Sequence, residues 1–221
     1  MCLCRSGFLR FVSGGEPVHD HGPVCRTTWA GVAGDIFSRG GREVMQEGTL
    51  TNRNDAYNLL SQLGAPERLL RHAQLVGEAA DSLIGAYREL GVEFNAAVIE
   101  LGAAIHDAGK IVHPEELSGP GSRHEWAGQA LMLRHGVQPE VAKCCVSHAA
   151  WRNADVTFEE RTVALADKLW KGKRETDLEL AVIDEAAIRL DVGRWDVFDR
   201  LDLAFETIAA SADERLRRSL T

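Results

Sequence analysis

The chain has 221 residues, 45% of them hydrophobic, enough to bury one sizeable core. Its 33 acidic against 25 basic residues leave a formal charge of −8, which argues against a general electrostatic grip on nucleic acid or on an anionic membrane. No apolar run approaches the roughly 20 residues of a spanning helix, the opening MCLCRSGFLRFV lacks the centre of a signal peptide, and the five cysteines make no disulfide framework.

A soluble, cytoplasmic protein in a reducing compartment is therefore expected, with no membrane partner. Residues 1 to about 50 carry scattered Gly, Arg and polar residues without helical or strand period, and are expected to form a poorly ordered N-terminal extension. Met45 is a plausible alternative start, so this stretch also reads as a non-native leader. Cys2 and Cys4 read as free thiols, and His19 and His21 as solvated loop residues.

The expected folded domain covers 51–221 and is all-α. DAYNLLSQL begins a first helix that stops at Gly64. Pro66 opens a long second helix, on which Leu69, Leu70, Ala73, Val76, Ala80, Leu83 and Ile84 share one apolar face with His72 beside it. Gly91 ends it. The run from about Asn95 to Asp107 reads as a buried helix that delivers His106 and Asp107 at its end, with Gly109 breaking it there.

After the SGPG loop, Ser122 is expected to cap a helix whose first turn holds His124. A single helix from about Pro139 to His148 follows, carrying the buried pair Cys144 and Cys145. In the next, Thr157 is the cap and Glu160 completes a capping box, ahead of Asp167. The tail from Thr176 to Arg218 reads as two helices joined near DVGRW, and no strand pattern or internal repeat stands out.

Six potential metal ligands thus occur along these helices: His72, His106, Asp107, His124, His148 and Asp167. One metal needs fewer ligands than this, whereas two metals sharing Asp107 would use all six. Imidazole with carboxylate suits a divalent transition metal, Fe or Mn, with Zn, Ni or Co possible, better than magnesium. Lys110 lies one turn beyond Asp107 as a cation beside these ligand candidates. Arg123, Lys171 and Arg174 are candidates for a phosphate-binding rim, although charge runs commonly form solvated faces.

The order His, HisAsp, His, His, Asp, with the string HDAGK, resembles the HD-domain superfamily in its HDIG branch, with Ala108 where Ile is usual. The matching stretch runs from about His72 to Arg174. The resemblance implies a helical bundle with a metal site in its core, built from His72, His106, Asp107 and Asp167, and a second metal position completed by His124 and His148. It implies Asp107 as the bridging ligand and Lys110 near the substrate phosphate.

The implied activity is metal-dependent phosphoester hydrolysis of a small phosphorylated substrate, a nucleotide being favoured. The chain lacks the GYP segment of the cyclic dinucleotide phosphodiesterases of the superfamily. Its ligand set is also similar to that of the diiron oxygenases among HD proteins, inositol oxygenase and a phosphonate-cleaving oxygenase. Retention of Lys110 favours phosphate chemistry, and retention of all six ligands disfavours a catalytically silent domain.

Overall fold

The computed structural model describes residues 49–219, all helix, turn and loop, with no strand among them. The expected N-terminal extension lies outside the described residues except at its end. There Leu50 is buried, and its backbone exchanges two hydrogen bonds with the Gln138 side chain. The folded part therefore begins before residue 51. The alternative start at Met45, Cys2, Cys4, Cys25, His19 and His21 also lie outside the described residues.

Helix α1 (Arg53–Gln62) starts at a capping box in which Asn52 and Asp55 each satisfy the other's backbone N–H. Helix α2 (Glu67–Leu90) runs 24 residues and stops at Gly91, whose φ of 81° is left-handed. Helix α3 (Ala96–Ile105) is capped by the Asn95 side chain and buries seven of its ten residues. It is apolar on nearly every side because it separates two cores. Ile99 and Ala103 face a cluster built from α2 and the later helices, while Val98, Leu101, Ala104 and Ile105 join a second cluster with α1 and the segment around 131–145.

Full burial of such aliphatic side chains stabilises by about 1.5–3 kcal/mol each. α3 is thereby held firmly along its length, and its C-terminal end marks the place where chemistry-bearing residues converge. His106 caps that end, and Asp107 leads into a 3-10 turn, Ala108–Ile111. Gly109, expected to break the helix, follows the end of α3 at Ile105 and sits inside this turn. A Cβ there would lie 1.8 Å from the His124 carbonyl oxygen, so glycine is needed for close approach. A second 3-10 turn, Pro114–Leu117, follows.

Helix α4 (Arg123–Arg134) begins after Ser122, yet the Ser122 side chain makes no capping hydrogen bond. Glu116 takes that role, accepting the backbone N–H groups of Arg123 and His124 at 3.2 and 3.1 Å. The helix expected from Pro139 to His148 is two short helices, α5 (Pro139–Ala142) and α6 (Cys144–Ser147), with Lys143 between them. Helix α7 (Phe158–Leu169) has the Thr157 and Glu160 capping box. The tail holds three helices where two were expected: α8 (Thr176–Leu190), α9 (Arg194–Ala210) and α10 (Ala212–Ser219). Asp191, with φ 54°, turns the chain between α8 and α9.

Within the described residues no helix is long and apolar enough to cross a membrane. Arg215 of α10 is buried and donates to the carbonyls of Leu169, Trp170 and Ile208, fastening α10 to the end of α7.

Candidate metal centre

Five separate pieces of the fold bring the six His and Asp side chains together. His72 comes from α2, His106 and Asp107 from the end of α3, His124 from the first turn of α4, His148 from the C-cap of α6, and Asp167 from α7. They form two groups, His72 with His106 and Asp167, and Asp107 with His124 and His148, each able to hold a metal ion. All but His72 are buried.

Asp107 stands between the groups. Its Oδ2 lies 3.0 Å from His72 Nε2 and 3.6 Å from His106 Nε2, while Oδ1 lies 3.3 Å from His124 Nε2 and 3.7 Å from His148 Nε2. Each oxygen of one carboxylate thus faces a different pair of imidazoles. Asp167 Oδ1 completes the first group at 3.7 Å from His72 and 3.8 Å from His106.

The outer ring nitrogens settle which way three of the histidines can act. His106 Nδ1 lies 2.9 Å from the Ala103 carbonyl, His148 Nδ1 3.2 Å from the Cys144 carbonyl, and His124 Nδ1 2.6 Å from Glu116 Oε2. Those oxygens only accept, so Nδ1 donates in each case, and in the neutral ring Nε2 carries a lone pair aimed inward. His124 Nε2 is buried without a hydrogen-bond partner, and the Nε2 atoms of His72 and His106 face each other at 3.1 Å. Ring nitrogens turned inward around carboxylate oxygens are the arrangement of a cation site.

The charges agree. Burial pushes the His106 pKa down to about 3 and lowers that of His148, so both rings stay neutral as ligands must. Asp107 is held well below the usual carboxylate range: burial opposes its ionisation, but His106, His124 and His72 outweigh it. Asp167 is likewise lowered, burial being overcome by His106 and Lys171. His124 is the exception: the Asp107 carboxylate, assisted by Glu116 and opposed by burial, raises its pKa.

Ammonium groups guard the same carboxylates. Lys110 Nζ lies 2.5 Å from Asp107 Oδ2, and Lys171 Nζ lies 3.3 and 3.2 Å from the two oxygens of Asp167. Arg123 is largely exposed and pairs with Glu115 and Glu116, and Arg174 is engaged by Glu179 and Asp202. A cavity of about 150 Å³ opens over His72 and Asp107, walled by Leu69, Leu117 and Trp170, with Arg68 and Lys110 as its cations. Arg123, Lys171 and Arg174 do not line it.

Sequence reasoning missed Glu116, Arg68, Lys168 and the role of Trp170. Burial opposes the charge of Glu116, but the ring and backbone N–H groups of His124, with that of Arg123, pull its pKa down to about 2. Trp170 donates Nε1–H to Asp167 Oδ1 at 3.3 Å and sets its ring edge against His72, and Lys168 lies 3.4 Å from Asp167 Oδ2. An available signal was helical spacing: Arg68 precedes His72 by one turn, and Trp170 follows Asp167 by one. Trp126 is exposed, and Trp151 is buried beneath the Arg152 guanidinium. Cys144 and Cys145 are buried free thiols.

Comparison of the chain with protein-family models, with curated proteins and with solved structures finds no match.

Proposed function

We propose that this protein is a metal-dependent phosphohydrolase of the HD-domain type, cleaving a phosphoester of a nucleotide or another small phosphorylated substrate. The observation that carries the reading is the divided Asp107 carboxylate, each oxygen facing its own imidazole pair. That is the donor arrangement for two divalent transition metals, Fe or Mn suiting it best. Bound there, such a pair supplies a water of lowered pKa and a Lewis-acid hold on a phosphoryl oxygen. In hydrolysis the water oxygen forms the new P–O bond, the bond to the leaving oxygen breaks, and a proton ends on the departing alcohol.

The chain's own groups have definable tasks. Asp107 and Asp167 hold the negative charge that keeps cations in place. Lys110, at the edge of the cavity, stabilises charge that builds on the phosphoryl oxygens. Leu69, Leu117 and Trp170 exclude bulk water from one side.

The test is product release across a panel of nucleotides and phosphomonoesters, with protein loaded separately with Mn or Fe. Asp107→Ala should abolish turnover and lower the metal content, and Lys110→Ala should reduce turnover about 10- to 100-fold with metal retained. Full activity and full metal in Asp107→Ala would refute the assignment. Iron retention with oxygen uptake and no phosphate release would replace it with the oxygenase reading.

A further inference from the structure

The cavity over the candidate metal centre holds one arginine, Arg68, that no carboxylate among the described residues engages. Arg68 lies four residues before His72 on α2, which puts both side chains on the same helical face one turn apart. Both line the cavity. Arg123 and Arg174, the arginines singled out by sequence, are committed to carboxylates, Arg123 to Glu115 and Arg174 to Glu179 and Asp202. Arg68 instead donates to the Ser118 hydroxyl at 3.1 Å, and among the described residues it forms no ion pair.

Its surroundings favour an anion. The second cation of the cavity, Lys110, is drawn down onto Asp107 Oδ2. Leu69, Leu117 and Trp170 give apolar walls, which strengthen a charge interaction by keeping water away. A guanidinium offers a planar fork that matches two oxygens of one phosphate, which an ammonium cannot do. The cavity runs from exposed Arg68 to buried Asp107, and at about 150 Å³ it has room for a phosphoryl group with little attached at that end.

Resting on the phosphohydrolase reading, we infer that Arg68 is the residue that recognises the substrate, seating a phosphoryl dianion, either free phosphate or the terminal phosphate of a phosphomonoester, above His72 and Asp107. Ser118 holds the guanidinium at the rim until the anion arrives. Arg68 acts on binding and leaves the attack itself to the groups beneath it.

The experiment is calorimetric titration of inorganic phosphate into the Mn-loaded full chain, comparing the wild type with Arg68→Ala, Arg68→Lys and, as a charge control, Arg194→Ala. Arg194 pairs with Asp184 away from the cavity. Arg68→Ala should bind phosphate about 10- to 100-fold more weakly, the loss expected for a charge-assisted bidentate contact. Arg68→Lys should fall between it and the wild type, and Arg194→Ala should match the wild type, all with unchanged Mn content. With a phosphomonoester substrate, Arg68→Ala should raise KM by the same factor and leave kcat within a few-fold.

Phosphate affinity in Arg68→Ala equal to that of the wild type, with metal content preserved, overturns the inference and leaves the hydrolase reading standing. Failure of the Mn-loaded wild type to bind phosphate at all overturns both.

Discussion

Gly109→Ala tests whether the site depends on the near contact of two backbones. The new Cβ would lie 1.8 Å from the His124 carbonyl oxygen and 2.6 Å from Gly128 N, where ordinary contact begins near 3.4 Å. Both are backbone atoms, so no side-chain rotation relieves the overlap, and the Ala108–Ile111 turn must retreat from α4. Overpacking of this kind costs about 1–3 kcal/mol, and backbone obstruction places the substitution at the upper end. For a folded unit of this size each kcal/mol lowers Tm by about 2–4 °C, so a drop of about 6–12 °C is expected.

The same retreat carries Asp107 away from His124, so under the two-metal reading the variant should also lose the ion of the His124 and His148 group. Thermal melts by circular dichroism on metal-free protein, with metal-to-protein ratios by elemental mass spectrometry, read the two effects separately. A Gly109→Ala protein that melts with the wild type and keeps its full metal content would show that the contact is not needed.

Replacing Glu116 should lower the affinity of the His124 and His148 position about 10- to 100-fold, as loss of an outer partner to a metal-bound histidine does. Glu116→Gln, which keeps an oxygen for the α4 backbone, should fold normally and still show the loss in a Co titration followed by absorbance, and an unchanged titration would remove Glu116 from the site. Elsewhere, burial opposes the charge of Glu159, but Arg189 and the Asn95 N–H hold its pKa below the usual glutamate value. A lowered folded pKa contributes stability that is present above the unfolded value and lost as pH falls through the folded one. The stability gap between wild type and Glu159→Gln should therefore be full at pH 7 and shrink below the ordinary glutamate pKa of about 4.3; a gap that widened in acid would reverse the sign of this coupling.

Helix punctuation was legible wherever one residue sets it. Gly64, Gly91 and the Thr157 to Glu160 box act locally, and the structure has them at the expected ends. The convergence of His72, His106, Asp107, His124, His148 and Asp167 was expected from the order of ligand types along the chain and its resemblance to HD-domain proteins, and for His72 also from the apolar face beside it on α2. What depends on contacts between distant segments was not legible. Ser122 looks like a cap, but Glu116 takes the backbone N–H groups of α4 from another turn. Gly109 looks like a breaker, whereas its missing side chain serves a neighbour fifteen residues on, His124. Arg174 reads as a rim residue until Glu179 and Asp202 are seen to hold it.

Because the six ligand candidates arise from α2, the end of α3, α4, the end of α6 and α7, an ion held by them ties together stretches far apart along the chain, His72 and His106 alone being separated by 34 positions. Such an ion is a reversible cross-link within the native fold, held only while those distant stretches stay together. It also binds the native form in preference to the unfolded one, so free metal concentration enters the folding equilibrium by mass action. A melting temperature for this protein would then describe the buffer's metal supply as much as the polypeptide, and a chelator would act as a denaturant aimed at one point of the fold.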